Sequence, residues 1–228
     1  MLIKAQFHTT VVQITGLERS NLPEVAFAGR SNAGKSSAIN ALCQRKKLAF
    51  SSRTPGRTQA LNFFSISDKQ DNAEAFLVDM PGYGYAEAPQ ALKKSWDTLA
   101  GRYLQVRGNL AGLVLIVDIR RGLGDLDRAL LAWLQPNVPV CVVLSKADKL
   151  NQTDRAKAAK VLRGELAALP DQNQRQARVV IFSVLAKLGI EEIRALVEYW
   201  FNPIGEAPQP PARVQADKKN PGDKLARV

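Results

Sequence analysis

Short apolar runs alternate along the chain with longer segments whose apolar residues recur three and four positions apart. Continuous apolar runs are typical of buried strands, and the wider spacing is typical of helices with one buried face. Strands are predicted at residues 23–28, 61–66, 75–78, 113–117, 138–144 and 179–182. Helices are predicted at residues 35–43, 90–107, 125–134, 153–168 and 190–201.

This alternation predicts an α/β fold with a mostly parallel central sheet and helices on both faces. We expect one domain over residues 23–204, with residues 1–22 packing on it or leading into it. Residues 205–228 contain four prolines, two glycines and no aromatic residue, and several lysines and arginines. That composition is typical of a disordered, mildly basic tail.

The composition adds a strong charge signal to an otherwise ordinary globular sequence. The chain of 228 residues has a formal net charge of +11, which favours a polyanionic partner such as nucleic acid or an acidic membrane surface. Cys43 and Cys141 lie far apart in apolar segments, so we expect buried thiols rather than a disulfide or a zinc site. No signal peptide or membrane-spanning run is evident, which favours a cytoplasmic location.

Residues 29–36, with the sequence G-R-S-N-A-G-K-S, match the phosphate-binding loop G-x-x-x-x-G-K-S/T. The glycines allow backbone N–H groups to point at phosphate oxygens, Lys35 faces the outer phosphates, and Ser36 offers a hydroxyl to magnesium. A predicted strand precedes the loop and a predicted helix follows it, as the motif requires. The candidate phosphate-binding residues are Gly29, Arg30, Ser31, Asn32, Ala33, Gly34, Lys35, Ser36 and Ser37.

Two further motifs follow predicted strands. The first matches D-x-x-G, in which the aspartate orients the magnesium shell and the glycine N–H meets the γ-phosphate; it consists of Asp79, Met80, Pro81 and Gly82. The second resembles the [NT]-K-x-D element of guanine-binding GTPases and consists of Ser145, Lys146, Ala147 and Asp148. A carboxylate at Asp148 accepts hydrogen bonds from the ring N–H and exocyclic amine of guanine, which adenine does not present.

Two other segments complete the predicted nucleotide site. Ser183, Val184 and Leu185 follow the last predicted strand, where GTPases place a backbone N–H against the guanine carbonyl; Val184 departs from the usual alanine. Between the phosphate loop and Asp79, we expect Thr58, in preference to Thr54, to close on magnesium when the γ-phosphate is present. The predicted switch loop around it includes Gly56, Arg57, Thr58 and Gln59.

Three runs together resemble the EngB (YihA/YsxC) family of bacterial ribosome-biogenesis GTPases. They are residues 29–37, residues 54–64 with T-P-G-R-T-Q and N-F-F, and residues 79–85 with D-M-P-G-Y-G-Y. The resemblance covers residues 20–202 and implies a phosphate-loop GTPase domain that binds GTP and GDP with Mg²⁺. It implies that Ser36 and Thr58 ligate the metal. It also implies association with the large ribosomal subunit during assembly and a link to cell division and septation.

Many GTPases orient the attacking water with a glutamine at the position held here by Tyr83. A phenol on a glycine-flanked turn is a poor substitute, so we expect slow intrinsic hydrolysis, on the order of 10⁻⁴ per second or below. The residues expected to act on the reacting phosphates are Lys35, Thr58, Gly82 and Asn32. Asn32 is also a candidate ligand for K⁺ in an arginine-finger role; alternatively, it only stabilises the loop.

The basic residues suggest where ribosomal RNA would bind. One cluster, in and before the switch loop, contains Arg45, Lys46, Lys47, Arg53 and Arg57. Further patches are Arg120 with Arg121, and Arg155, Lys157, Lys160 and Arg163 on a helix whose charges are typical of a solvated face. We expect a monomer without integral membrane contact. The alternatives are a phosphotransferase, which residues 145–148 disfavour, and a GTPase acting on a membrane or cell-division scaffold, which the tail disfavours because it has no apolar face.

Overall fold

The computed structural model describes residues 1–50, 60–84, 99–169 and 176–209. The strands among these residues are β1 (Gln6–Val11), β2 (Glu24–Gly29), β3 (Leu61–Ser67), β4 (Ala73–Asp79), β5 (Leu110–Asp118), β6 (Val140–Ser145) and β7 (Ala177–Ile181). The helices are α1 (Lys35–Leu42), α2 (Leu99–Val106), α3 (Asp125–Trp133), α4 (Gln152–Ala167) and α5 (Ile190–Phe201).

The predicted α/β class is confirmed. Each predicted strand is present with ends displaced by a few residues, and α1, α3, α4 and α5 match four predicted helices closely. The helix predicted at 90–107 is described only from Leu99 onward, because residues 85–98 lie outside the described part of the chain. Strand β1 was not predicted from the sequence because its pattern is weak: Val11 is the strand's one buried residue.

The described strands form one sheet in the order β1-β3-β4-β2-β5-β6-β7. Strands β4, β2, β5, β6 and β7 run parallel, whereas β3 is antiparallel to both β4 and β1. Parallel neighbours require crossover connections, and helices supply them here. The carboxyl ends of five parallel strands therefore meet at one edge of the sheet.

Both faces of the sheet are covered, because successive strand residues point to opposite sides. On β2, Ala26 and Ala28 pack with helices α2, α3 and α4, whereas Val25 and Phe27 pack with α1 and α5. Strand β5 repeats this alternation with its own apolar residues. This explains why the central strands appear as uninterrupted apolar runs in the sequence.

Close packing of a helix against β5 requires glycine at one position of that strand. A Cβ atom on Gly112 would lie 2.2 Å from Cε3 of Trp200, a side chain of α5 that is 8% exposed. The contact leaves no room for even a methyl group. Gly112 therefore allows the indole ring to lie directly on the sheet.

The first 22 residues contact the rest of the described chain through β1 and the short helix before it. Leu2 is fully buried, and Glu198 of α5 accepts hydrogen bonds from the Met1 ammonium group at 2.7 Å and from the Leu2 N–H at 3.1 Å. Strand β1 pairs with β3. Most of the predicted tail, residues 210–228, lies outside the described residues.

Both cysteines are fully buried, as predicted. Burial raises the pKa of the Cys43 thiol to about 12 and that of the Cys141 thiol to about 12, so both remain protonated near neutral pH. Among the described helices, none is both long enough and apolar enough to cross a membrane.

A buried ionic network holds α2 at the sheet edge opposite the strand carboxyl ends. The Glu24 side chain is fully buried and pairs with the Arg107 guanidinium, with an Nη2–Oε1 distance of 2.5 Å. The Tyr103 hydroxyl donates to the same carboxylate at 2.8 Å, and the Asn109 amide donates to it at 3.2 Å. Burial, followed by the nearby Glu24 charge, raises the pKa of Tyr103 well above its usual value.

We expect Glu24→Gln to lower the free energy of unfolding by about 3 kcal/mol, because it leaves the Arg107 charge without its counterion. Urea denaturation at neutral pH measures this loss. The matched control is Glu165→Gln, which breaks a partly exposed pair with Arg128 and should cost under about 1 kcal/mol. Equal effects of the two substitutions would contradict this role of the buried pair.

Candidate functional site

The sequence motifs meet at the edge formed by the carboxyl ends of the parallel strands. Gly29, Asp79, Asp118 and Ser145 are the last residues of β2, β4, β5 and β6. The register pairs Phe27 with Asp79, and Asp118 with Ser145. In open α/β sheets, ligands bind outside this edge. The fold thus brings together motifs that lie more than a hundred residues apart.

The phosphate loop connects β2 to α1 in a conformation that depends on glycine. A Cβ atom on Gly29 would lie 2.6 Å from the carbonyl oxygen of Ile116. Gly34 caps α1 with a φ of +104°, and it has no side chain to accept hydrogen bonds from the first turn. Lys35, Ser36 and Ser37 therefore present first-turn N–H groups at a helix N-terminus, which suits phosphate oxygens.

The loop lysine and the aspartate of D-x-x-G face each other in a buried ion pair. The Lys35 ammonium group binds the Asp79 carboxylate, and the side chains are 11% and 6% exposed. Burial raises the pKa of Asp79, and the Lys35 charge opposes that rise. Lys35 was predicted from the sequence to contact the outer phosphates, and Asp79 was predicted to orient the magnesium shell. The ion pair shows that these two groups lie next to each other.

The residues present fit a magnesium ion. Ser36 directly follows Lys35, and Asp79 supplies a buried carboxylate, so a hydroxyl and a carboxylate oxygen lie in the same region. Oxygen ligands are those that Mg²⁺ prefers, and the ion neutralises charge on the phosphates. Thr58, Gly56, Arg57 and Gln59 lie outside the described residues, so their predicted roles stay predictions.

The end of D-x-x-G lies against the phosphate loop. The Ser31 N–H donates to the Tyr83 carbonyl at 2.8 Å, and Met80 N–H donates to the Phe27 carbonyl at 3.0 Å. A Cβ atom on Gly82 would lie 3.1 Å from Oγ of Ser31. These contacts continue the β2–β4 pairing past Pro81, so the Gly82 backbone lies beside the loop, as the prediction of a γ-phosphate contact requires.

The side chain of Tyr83 is anchored, whereas the sequence suggested a flexible turn. Its hydroxyl donates to the Asp127 carboxylate of α3 at 2.5 Å, and the Gly124 N–H donates to the same carboxylate at 2.8 Å. Burial, followed by the Asp127 charge, raises the pKa of Tyr83 well above its usual value. The phenol hydroxyl is therefore held by α3.

Residues 145–148 are tied directly to the phosphate loop. The Ser145 hydroxyl lies 2.6 Å from the Ala33 carbonyl oxygen and 3.0 Å from that of Val117. The Lys146 ammonium group donates to the Asn32 carbonyl at 2.6 Å. The base-recognition element thus supports the phosphate loop. Serine performs this function with its hydroxyl, although related motifs carry threonine or asparagine at this position.

Asp148, the predicted guanine-binding carboxylate, is held in place from the next strand end. The Ser183 hydroxyl donates to Asp148 Oδ1 at 2.7 Å and accepts from the Ala186 N–H at 3.1 Å. The hydrogen bond from Ser183 is the main cause that lowers the pKa of Asp148. The carboxylate stays ionised and accepts hydrogen bonds. Val184 and Leu185 are 39% and 79% exposed beside it.

Asp118 belongs to the site but was missing from the sequence analysis. Arg120 donates to it at 2.7 and 3.0 Å, and the Lys146 ammonium group lies 3.1 Å away. The hydrogen bond from Arg120 is the largest cause that holds the pKa of Asp118 well below its usual range. This carboxylate orients Lys146. The signal was present in the sequence, since Asp118 follows a buried run just as Asp79 does.

Two basic residues assigned to surface patches have contacts inside the site. Arg120 pairs with Asp118, and Arg155 donates from Nε to the Ala147 carbonyl at 2.6 Å. Arg155 therefore holds residues 145–148 from the first turn of α4. Sequence reasoning could not find this contact because its partner is a backbone atom.

Sequence comparison identifies close relatives. The model of the family described as "50S ribosome-binding GTPase" matches residues 24–146. The chain is 45% identical over 223 residues to "Probable GTP-binding protein EngB" of Dechloromonas aromatica, with 97% of each chain covered. It is also 45% identical over 231 residues to the protein of that name from Ralstonia nicotianae, with 100% of this chain and 98% of the relative covered.

Solved structures support the same fold. A crystal structure of a probable GTP-binding protein engB aligns with a TM-score of 0.57 at 22% identity, covering 78% of this chain and 98% of that one. A bacterial selenocysteine-specific elongation factor, EF-Sec, aligns with a TM-score of 0.56 at 20% identity. The alignment covers 81% of this chain but only 29% of the elongation factor. At these identities, the likeness concerns the fold alone.

We expect Asp148→Asn to weaken GDP binding about 100-fold, because the new amide N–H₂ meets the hydrogen-bond donors of guanine instead of accepting from them. Binding of xanthosine diphosphate should strengthen, since xanthine presents a carbonyl in place of the exocyclic amine. Titration of both nucleotides by calorimetry measures the two changes.

The control is Asp125→Asn, which removes one exposed carboxylate at the start of α3 and should leave both affinities within about twofold. If Asp148→Asn weakened both nucleotides equally, Asp148 would support the fold of the loop rather than select the base.

Proposed function

This chain belongs to the EngB family of GTP-binding proteins, and from that premise we propose that it is a GTP-controlled switch in assembly of the large ribosomal subunit. The proposal includes ribosomal RNA as the partner of its basic surface, a cytoplasmic location and a monomeric state. It also includes a link to normal cell division and septation. The observation that carries the proposal is the match of residues 24–146 to ribosome-binding GTPases.

The site geometry supports the nucleotide part of this proposal. One face of the site offers an uncapped helix N-terminus with Lys35 and Asp79, and the other offers the Asp148 carboxylate. Hydrogen bonds from Ser145 and Lys146 join the two parts. Phosphates and a guanine base therefore have complementary groups at a fixed separation, which favours GTP and GDP over nucleotides with other bases.

The charge distribution supports a polyanionic partner. Arg45, Lys46 and Lys47 are exposed directly after α1, while Arg53 and Arg57 of the same predicted cluster lie outside the described residues. Lys157, Lys160 and Arg163 are exposed on α4. Contacts between such residues and phosphates give affinity that depends on salt and little on sequence. A basic cluster beside the predicted switch loop would make that affinity depend on the bound nucleotide.

The proposed hydrolysis is slow without its partner. The Tyr83 hydroxyl is hydrogen-bonded to Asp127 of α3, and a phenol is a poor substitute for a water-orienting glutamine. Intrinsic turnover on the order of 10⁻⁴ per second or below is the rate of an unassisted switch GTPase. In this proposal Ser36 and Thr58 ligate Mg²⁺, Asp79 orients its shell, and Lys35, Gly82 and Thr58 contact the phosphates.

The first experiment is co-sedimentation with purified large ribosomal subunits, in the presence of a non-hydrolysable GTP analogue, GDP or no nucleotide, at two salt concentrations. We expect the GTP analogue to strengthen pelleting and the complex to survive moderate salt. Nucleotide-independent pelleting that disappears with salt would contradict the proposal, since any basic protein adheres to RNA. Flotation with acidic liposomes in place of subunits would favour the membrane alternative.

A second experiment tests the potassium hypothesis. Asn32 has a φ of +63° and is exposed, and its carbonyl is held by Lys146, so its side chain extends from a fixed backbone beside the phosphate loop. We propose that it holds a K⁺ ion next to the phosphates. Turnover of GTP should then be faster in KCl than in NaCl at equal ionic strength, and Asn32→Ala should abolish the difference. Equal rates in the two salts would refute this role.

A further inference from the structure

A cavity of about 260 Å³ lies between the phosphate loop and the β5–α3 connection. Residues 30–33 form one wall and residues 116–118 and 120–122 form another, with Gly84, Asp127 and Lys146 between them. Lys35, Ser36, Asp79 and Asp148 do not line it. The cavity therefore adjoins the nucleotide site: it shares residues 30–33 and Lys146 with that site, but not Ser36, Asp79 or Asp148. It is smaller than the roughly 300–1,000 Å³ of typical small-molecule pockets.

The cavity carries an excess of positive charge. Four basic side chains line it, against two carboxylates: Arg30, Arg120, Arg121 and Lys146 against Asp118 and Asp127. Both carboxylates already have partners. Asp118 forms ion pairs with Arg120 and Lys146. Asp127 accepts hydrogen bonds from the Tyr83 hydroxyl and the Gly124 N–H. Within the described parts of the chain, the guanidinium groups of Arg30 and Arg121 form no hydrogen bond or ion pair. Their charges remain available to an anion.

Two glycines make room for the Arg30 guanidinium. A Cβ atom on Gly84 would lie 3.1 Å from its Nε, and one on Gly124 would lie 3.0 Å from its Nη1. The side chain of Arg30 thus extends from the phosphate loop toward α3 and lies in the cavity wall. Arg121 is exposed at the other side, and its backbone N–H donates to the Asp118 carbonyl at 2.9 Å.

From this arrangement we propose that the cavity is a second anion site, which receives a backbone phosphate of the large subunit's RNA between the Arg30 and Arg121 guanidinium groups. The inference rests on the proposed function and deepens it by locating one RNA contact. A planar guanidinium group suits phosphate oxygens, because it donates parallel hydrogen bonds. An exposed arginine at the rim lets a phosphate of a large partner enter without burying the whole RNA strand.

Such a contact would connect RNA to both elements that meet the γ-phosphate. Arg30 belongs to the phosphate loop, and Gly84 directly follows Tyr83, whose carbonyl accepts from the Ser31 N–H. The Tyr83 hydroxyl binds Asp127 in the same wall. A phosphate held between Arg30 and Arg121 therefore bridges the loop and α3 at the point where D-x-x-G ends, so RNA binding and the nucleotide state influence each other.

The test measures affinity for purified large ribosomal subunits, with the protein saturated by a non-hydrolysable GTP analogue, over a series of salt concentrations. We expect Arg121→Gln to weaken binding about tenfold and to reduce the slope of log K against log salt by about 0.7 to 0.9, the value for one lost phosphate contact. The matched control Arg102→Gln removes one exposed charge on α2, outside the proposed RNA-binding patches, and should change affinity less than about twofold.

Affinity of each variant for GDP serves as the check on the nucleotide site. Arg121→Gln should leave it unchanged, because that side chain lies outside the groups that hold the nucleotide. If Arg121→Gln and Arg102→Gln weakened subunit binding equally, the cavity would not be an RNA contact and the inference would fail while the proposed function stood. If the wild-type protein showed no nucleotide-dependent subunit binding, the proposed function itself would fail.

A double-mutant cycle with Arg30→Gln tests whether the two guanidinium groups share one phosphate. All four proteins are saturated with the GTP analogue, so that an effect on nucleotide affinity does not enter. If the two groups bind the same phosphate, the fold-loss of subunit affinity in the double variant should differ more than about twofold from the product of the fold-losses in the two single variants. A combined loss equal to that product would place the two arginines on separate partners and overturn the single site.

Discussion

The parallel register of β4, β2, β5 and β6 is the constraint on which the site depends. It places the ends of these strands at one edge, so that Gly29, Asp79, Asp118 and Ser145 are neighbours in space. A slip of one residue in any pair would turn each side chain of that strand to the opposite face. The apolar cores on the two faces of the sheet oppose such a slip, because alternate residues of β2 and β5 pack against different helices.

The same edge joins the predicted base-binding residues to the phosphate loop. Ser145 and Lys146 contact backbone carbonyls of the phosphate loop, so movement of either element disturbs the other. Asp118 binds the Lys146 ammonium group, and Arg155 donates a hydrogen bond to the Ala147 carbonyl. On the D-x-x-G side, contacts of Ser31 and Asp127 fix Tyr83. These contacts connect the described elements of the site directly to one another.

Much of this arrangement could be predicted because the relevant signals are local. A buried parallel strand appears as a continuous apolar run, and the phosphate loop and D-x-x-G have fixed spacing. Strand β1 was missed because one buried residue leaves no alternation to detect. Asp118 was missed although it ends a strand, because no short motif includes it. Arg155 was assigned to a surface patch because its partner is a backbone atom, and Arg120 because its partner, Asp118, was itself missed.

The sequence by itself determined the fold class and the phosphate loop and predicted the carboxylate for guanine, because each depends on residue types at short and fixed spacing. Only the tertiary structure decided which charges are neutralised and which remain available. Lys35 faces Asp79, Arg120 faces Asp118, and Tyr83 reaches Asp127 across more than forty residues. Such pairings depend on how the sheet and helices pack, and the free energy of a charge depends on its distance from others and on its burial.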